Sequence, residues 1–187
     1  MNNITIIPIK NLPEFEPKHD LADEIIKSFS SNNFVLEDKD VIIITQKIVS
    51  KVEDRFIKND HDSIEKLIQQ ESIEILRKRG DTVIARTKHG FICANAGIDK
   101  SNIEKGSVLL LPEDPDKTCR DIRKKIEHLL NKKISIIISD TFGRAWRKGQ
   151  TNVAIGSSGI EPLESYIGEK DAFGNELFAT EIAIIDE

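Results

Sequence analysis

Residues 134–152 read ISIIISDTFGRAWRKGQTN. The run Ile134-Ser135-Ile136-Ile137-Ile138 is short, β-branched and nearly all apolar, the pattern of a strand covered on both faces of a sheet. It stops at Asp140-Thr141, and Gly143, Arg144, Arg147, Lys148 and Gly149 follow within a few residues. α/β sheets place ligands beyond the carboxyl ends of their strands. This one stretch therefore predicts both a layered fold and the position of a site.

Working outward, further apolar runs resemble it. Asp40-Val41-Ile42-Ile43-Ile44-Thr45 is continuously apolar, Val83-Ile84-Ala85 is similar, and Val108-Leu109-Leu110-Leu111 is stopped by Pro112. Amphipathic stretches lie between them. Asp20 caps a helix bearing Leu21, Ile25 and Phe29 at spacing four. Ile64, Leu67, Ile68 and Ile75 mark a second, closed by Arg77-Lys78-Arg79-Gly80. A third opens with Asp114 as N-cap and Pro115 at its first position, sets Cys119, Ile122, Ile126 and Leu129 on one face, and has Lys132 and Lys133 at its C-terminal end. Alternating strands and helices predict an α/β domain of mixed α+β character. A hairpin-like turn is expected at Ala172-Phe173-Gly174-Asn175, and residues 178–187 read as a strand or helix just under way.

The chain of 187 residues reads as one domain, residues 1–187. It is 39% hydrophobic, enough for a real core, and 32% charged with a net charge of −5, which argues against a nucleic-acid partner. Cys93 and Cys119 stand apart without a CxxC pair and read as buried thiols in a reducing cytosol. The opening MNNITIIPIK lacks a basic region followed by a long apolar stretch, and no apolar run approaches the ~18 residues of a membrane span. A cytoplasmic protein with no membrane partner is the expectation.

Three segments carry possible chemistry. At Asp140-Thr141 a carboxylate beside a hydroxyl either completes part of an oxygen shell for a hard divalent cation or caps the next turn. Arg144, Arg147 and Lys148 either clamp phosphate or carboxylate groups or form a solvated basic turn, and Trp146 is expected to pack. In the segment HGFICANAGIDKSN, residues 89–102, Asp99 and Asn102 present oxygens three positions apart, as ligands or as turn and cap residues. In TQKIVSK, residues 45–51, Lys51 is placed to reach phosphates as a point charge, or belongs to a charged turn. Gly156-Ser157-Ser158-Gly159 is read as a flexible loop. No Walker A pattern, HExxH, GxSxG or paired-cysteine zinc site is present.

Taken together, Leu12-Pro13-Glu14-Phe15 with Asp20-Leu21-Ala22, the Gln46–Lys51 segment, the histidine-glycine and ANAGIDKSN segments, Leu111-Pro112-Glu113-Asp114-Pro115, and SDTFGRAWR resemble the coenzyme F-420-0:γ-glutamyl ligase family. The resemblance covers essentially the whole chain. It implies a family-specific mixed-sheet fold with flanking helices. It also implies a GTP-dependent ligase that adds L-glutamate to a deazaflavin precursor through an acyl phosphate, releasing GDP and phosphate. Asp99, Asp140 and Thr141 are then metal ligands for two Mn²⁺ or Mg²⁺ ions, and Leu12, Pro13, Glu14, Phe15, Gln46, Lys47, Lys51 and Asn102 contact GTP. Gln46 stands where relatives carry a small hydroxyl residue. Arg144 and Arg147 are read as clamps on acidic substrate. The resemblance implies a homodimer, and relatives that run some sixty residues further imply that this chain lacks the family's C-terminal part. The competing readings are a non-catalytic form binding GTP, GDP or the deazaflavin, and a metal-dependent phosphate-ester hydrolase.

Overall fold

The computed structural model describes residues 4–58 and 64–187, so the first three residues of the N-terminal reading lie outside it. Its centre is a three-stranded sheet. Strand β1 (Val41–Thr45) runs parallel to a later, central strand at Ser135–Arg144, which pairs antiparallel with one at Arg147–Ser158. Between them lie helix α2 (Gln46–Val52), strand β2 (Phe56–Lys58), helix α3 (Ile64–Gln70), and β3 (Ser72–Arg79), β4 (Thr82–Thr87) and β5 (Ile92–Ala94). Strand β6 (Ser107–Leu109) and helix α4 (Pro115–Leu130) follow, so the central strand is β7 and its hairpin partner β8. Helix α1 (Leu21–Ser31) precedes β1, and the short β9 (Glu164–Ser165) and β10 (Glu181–Ile182) pair antiparallel beyond β8. The expected mixed α/β class is what is found.

The core explains why the sheet forms. Ile136 and Ile138 of β7 are fully buried and pack with Cys119, Ile122 and Ile126 of α4 and with Leu21, Ile25 and Phe29 of α1. Burying each such side chain stabilises the fold by about 1.5–3 kcal/mol. Both long helices start as expected: Asp20 accepts from the Asp23 N–H, and Asp114 from that of Lys117, with Pro115 just inside α4. Leu129 is the exception on the α4 face, more than half exposed, next to the helix's last residue, Leu130, and the left-handed cap at Asn131. Cys93 and Cys119 are buried free thiols.

Several expectations are corrected. The second helix covers only Ile64–Gln70, and Ile75 lies on β3 opposite Ala85. Gly80 (φ +58°) forms the two-residue turn of the β3–β4 hairpin, a position that suits positive φ, instead of stopping a helix. Strand β1 is covered on one face only, since Ile43 is 67% exposed. Residues 156–159 are no flexible loop: Ser158 is buried at the end of β8, and a side chain at Gly156 would lie 2.6 Å from the Pro115 backbone. Finally, β7 does not stop near Asp140 but continues to Arg144 and turns straight into β8, leaving Trp146 exposed at the hairpin tip instead of packed.

The turn at residues 171–175 forms as expected, the Asp171 carboxylate accepting from the Phe173 and Asn175 N–H groups. Near the end, β10 pairs with β9, and Asp186 accepts a hydrogen bond from the Ala154 N–H of β8. A smaller cluster of Ile68, Val83, Ala85 and Ala96 packs under the β3–β4–β5 sheet. The β2–β6 pair is formed separately, with Phe56 opposite Leu109 and Lys58 opposite Ser107.

Candidate nucleotide and metal site

Two chain segments almost a hundred residues apart meet because β1 and β7 pair in register, Thr45 opposite Ser139. Directly after Thr45, α2 begins and carries Lys47 and Lys51 along one side, four residues apart. Directly after Ser139, β7 presents Asp140. Successive residues of a strand face opposite sides. Asp140 and Phe142 therefore share one face, and Phe142 meets the ring of Phe91 edge-on at 5.9 Å. Thr141 lies on the other face, where its hydroxyl donates to Asn152 Oδ1 at 2.9 Å.

The Asp99 loop closes on the same region. Ile92–Ala94 runs into a 3-10 turn at Asn95–Gly97, where Asn95 and Ala96 hold positive φ (51° and 55°) and the Asn95 carboxamide accepts from the Val83 N–H. Gly97 is required there, because a Cβ would lie 2.7 Å from the Leu111 side chain. Asp99 then pairs by backbone with Leu109. Its Oδ1 accepts from the Ser101 N–H and hydroxyl at 2.7 and 2.8 Å, and its Oδ2 is 2.8 Å from Lys47 Nζ. Lys47 also donates to the carbonyl and hydroxyl oxygens of Ser101.

Electrostatics tie the carboxylates together. Burial pushes Asp99 upward, but the Lys47 ammonium and the Ser101 hydrogen bonds outweigh it and hold the carboxyl below its usual range. Asp140 is held above that range by burial and then by the negative charge of Asp99, against the opposing pull of the Thr141 N–H and Lys47. Asp140 thus lies within the field of Asp99. A hard cation placed between them would relieve that repulsion, and the two carboxylates suit one such ion. Among the described residues no group of three or more His, Cys, Asp or Glu gathers around a common point.

A cavity of about 550 Å³ opens beside Lys47. Leu12, Pro13, Glu14, Phe15, Lys47, Lys51 and Asn102 line it, together with Thr45 and Ile48 of the same TQKIVSK segment. Lys51 is bonded to the carboxylate of the exposed Glu14, and that pair holds the residue 12–15 segment against α2. Gln46 is placed differently. It is 2% exposed and its amide donates to Ser50 Oγ and to the Leu110 carbonyl, so its side chain faces the core.

Arg144 and Arg147 are not brought to the carboxylates. Four residues of extended chain separate Asp140 from Arg144, roughly 13 Å at a strand's rise per residue. Arg144 donates instead to the Lys148 and Gly149 carbonyls at the hairpin tip. His89 clamps the segment before α4 through Nε2, 2.9 Å from the Pro112 carbonyl oxygen and 3.1 Å from that of Glu113, and stacks on Phe91. Ser101 was missed altogether, although its place two residues after an aspartate in a turn is a recognisable Asx signal.

The family model described as F420-0:Gamma-glutamyl ligase matches residues 10–187. Coenzyme F420:L-glutamate ligase of Methanocaldococcus jannaschii is 43% identical over 171 residues, covering 82% of this chain and 68% of that protein. The protein of the same description from Methanococcus maripaludis strain S2 is 42% identical over 173 residues, covering 83% and 69%.

Proposed function

The chain belongs to the F420-0:gamma-glutamyl ligase family, and on that footing we propose that it uses GTP to join L-glutamate to a deazaflavin precursor through an acyl phosphate. The amide-bond-forming ligase class comes with the family. The observation that carries the finer reading is the cavity lined by Lys47, Lys51 and Asn102, in which Lys47 also pairs with Asp99 and its charge reaches Asp140. A free carboxylate is a poor acyl donor, so an amide ligase must first give its oxygen a better leaving group. Transfer of the terminal phosphoryl group of GTP does this, and attack by the glutamate amine then releases phosphate.

The chain's own groups suit those demands. Lys51 supplies a point charge for the polyphosphate once Glu14 yields it, and Asn102 offers amide donors on the same wall. Lys47 neutralises charge between the phosphates and Asp99. Asp99 and Asp140 would hold Mn²⁺ or Mg²⁺. A bound divalent ion supplies charge neutralisation and alignment of phosphoryl oxygens. Thr141 donates its hydroxyl proton to Asn152 and keeps oxygen lone pairs for a cation, on the face of β7 opposite Asp140. For Arg144 and Arg147 the proposed hold on acidic substrate requires a ligand that extends to the hairpin tip. A homodimer accords with the exposed Trp146, Phe173 and Phe178. A cytoplasmic setting accords with the absence, among the described residues, of any helix long and apolar enough to cross a membrane.

The deciding assay combines the protein with GTP, Mn²⁺, glutamate and the glutamate-free deazaflavin. Glutamylated product and phosphate release that needs both acceptors are expected. Phosphate release from GTP alone would instead identify a phosphate-ester hydrolase, and binding without turnover a non-catalytic form.

A further inference from the structure

His89 lies outside the lining of the cavity beside Lys47, yet its surroundings lead to Asp140. Its Nε2 faces two acceptors, the carbonyl oxygens of Pro112 and Glu113, so that nitrogen carries a proton and donates. Nδ1 is left inside the protein. Among the described residues it is the one buried side-chain nitrogen or oxygen without a hydrogen-bond partner. An orphan of this kind costs stability, so the ring is kept where it is for another reason.

The packing around the ring supplies that reason. His89 stacks on Phe91 with the two planes 18° apart, and Phe91 meets Phe142 edge-on. Phe91 leads directly into β5 and is tied twice to Thr87: its carbonyl accepts the Thr87 N–H, and its own N–H donates to the Thr87 hydroxyl. Phe91 and Cys93 stand two residues apart on one segment, Asp140 and Phe142 two apart on the other. The first couple lies against the second. Phe91 touches Phe142, and Cys93 is close enough to Asp140 for its thiol to feel the carboxylate's charge. This end of β5 is therefore a wall against the Asp140 face of β7. His89 pins that wall to the segment entering α4, and α4 packs on β7 through Cys119, Ile122 and Ile126. The circuit closes on β7 beside Asp140.

We infer that His89 is a positioning residue for the metal site, holding the Phe91–Cys93 wall against β7 so that Asp140 keeps the orientation a cation needs. The inference rests on the metal reading above. An aspartate carboxylate turns about two side-chain bonds, and a ligand with loose neighbours loses affinity to the ordering that coordination demands. Groups that orient a ligand without touching the metal change its affinity roughly 10–100-fold when removed.

The test compares the full chain with His89→Phe and His89→Gln. Phenylalanine keeps the stack and loses the donor, whereas glutamine keeps a donor near the place of Nε2 and loses the ring. One readout is titration with Mn²⁺ alone. The other is the rate at which iodoacetamide labels Cys93 relative to Cys119, which sits in the main core and reports global opening. His89→Phe should bind Mn²⁺ roughly tenfold more weakly and label faster at Cys93 while Cys119 stays protected. His89→Gln should recover part of the affinity. Wild-type Mn²⁺ affinity in His89→Phe overturns the inference and leaves the metal reading intact. Faster labelling of both cysteines together also overturns it, and reduces His89 to general support of the fold. If His89→Phe does not fold, Phe91→Leu removes the ring beneath His89 and decides by the same two readouts. A wild-type chain that takes up no Mn²⁺ brings down the metal reading and the inference with it.

Discussion

Lys47 Nζ lies 2.8 Å from Asp99 Oδ2 and bonds both oxygens of Ser101, so one ammonium group ties the start of α2 to the Asp99 loop. Its positive charge also acts on Asp140. Lys47→Met should leave the charges of Asp99 and Asp140 without their compensating ammonium and the loop without its anchor. A loss of roughly 100-fold in kcat/KM for GTP is expected, the scale of removing one preorganised charged donor. Lys47→Arg should recover part of it. Steady-state kinetics of both variants check this, and wild-type rates in Lys47→Met would refute it.

Asp140 sets stability against function. A carboxyl whose folded-state pKa is raised costs the native state stability while it is ionised, a cost present at neutral pH and absent once the pH falls below the ordinary carboxylate range. Asp140→Asn should therefore melt higher than wild type at pH 7 without divalent metal, by roughly 2 °C in a chain of this size. The gain should vanish in acid, and ligation should be lost. Asp99 behaves oppositely: its lowered pKa contributes stability above the carboxylate range that is lost as the pH falls through the folded-state value. Asp99→Asn should then melt lower at pH 7. Calorimetric scans across pH distinguish the two.

Glu14 and a polyphosphate compete for the same ammonium group, that of Lys51. Glu14→Gln should tighten GTP binding by a few-fold at low ionic strength, and Lys51→Met should weaken it by roughly tenfold or more. Titration calorimetry reads both. Equal affinities in all three proteins would remove Lys51 from the phosphate site.

Cys93 and Cys119 should resist alkylation. Burial, then the charge of Asp140, pushes the Cys93 thiol up to about 11, and burial takes Cys119 to about 12. Iodoacetamide at pH 8 should leave both unmodified in the native chain and label both in denaturant, as judged by intact mass. Rapid native labelling of Cys93 would show that the Asp140 side of β5 is open.

How much of this was legible in the sequence depended on whether the deciding contacts were local. Helix caps at Asp20 and Asp114 involve neighbours within three residues, and both were readable. Ile75 was misassigned because Ile73 and Ile75 satisfy a strand's period of two while Ile68 and Ile75 also satisfy a helix's two-turn spacing, and only pairing with β4 separates the two. At residues 139–149 the glycines and cations looked like a ligand loop, yet cross-strand pairing with residues 147–154 made them a hairpin. The Asp99–Lys47 contact joins residues 52 apart by number and had no local signature. Gln46 shows the same limit from the other side: polar in sequence, it is satisfied inside the core by Ser50 and Leu110.

The parallel pairing of β1 with β7 also orders events in time. Hairpins such as β3–β4 join close neighbours and can form within microseconds, whereas Thr45 and Ser139 must find each other across a long excursion of chain. Lys47 and Lys51, which line the cavity, and Asp140 hang from opposite sides of that late closure. During synthesis, ligand capture would begin only after the ribosome has released β7, so nucleotide binding would report that the slowest step of folding is complete.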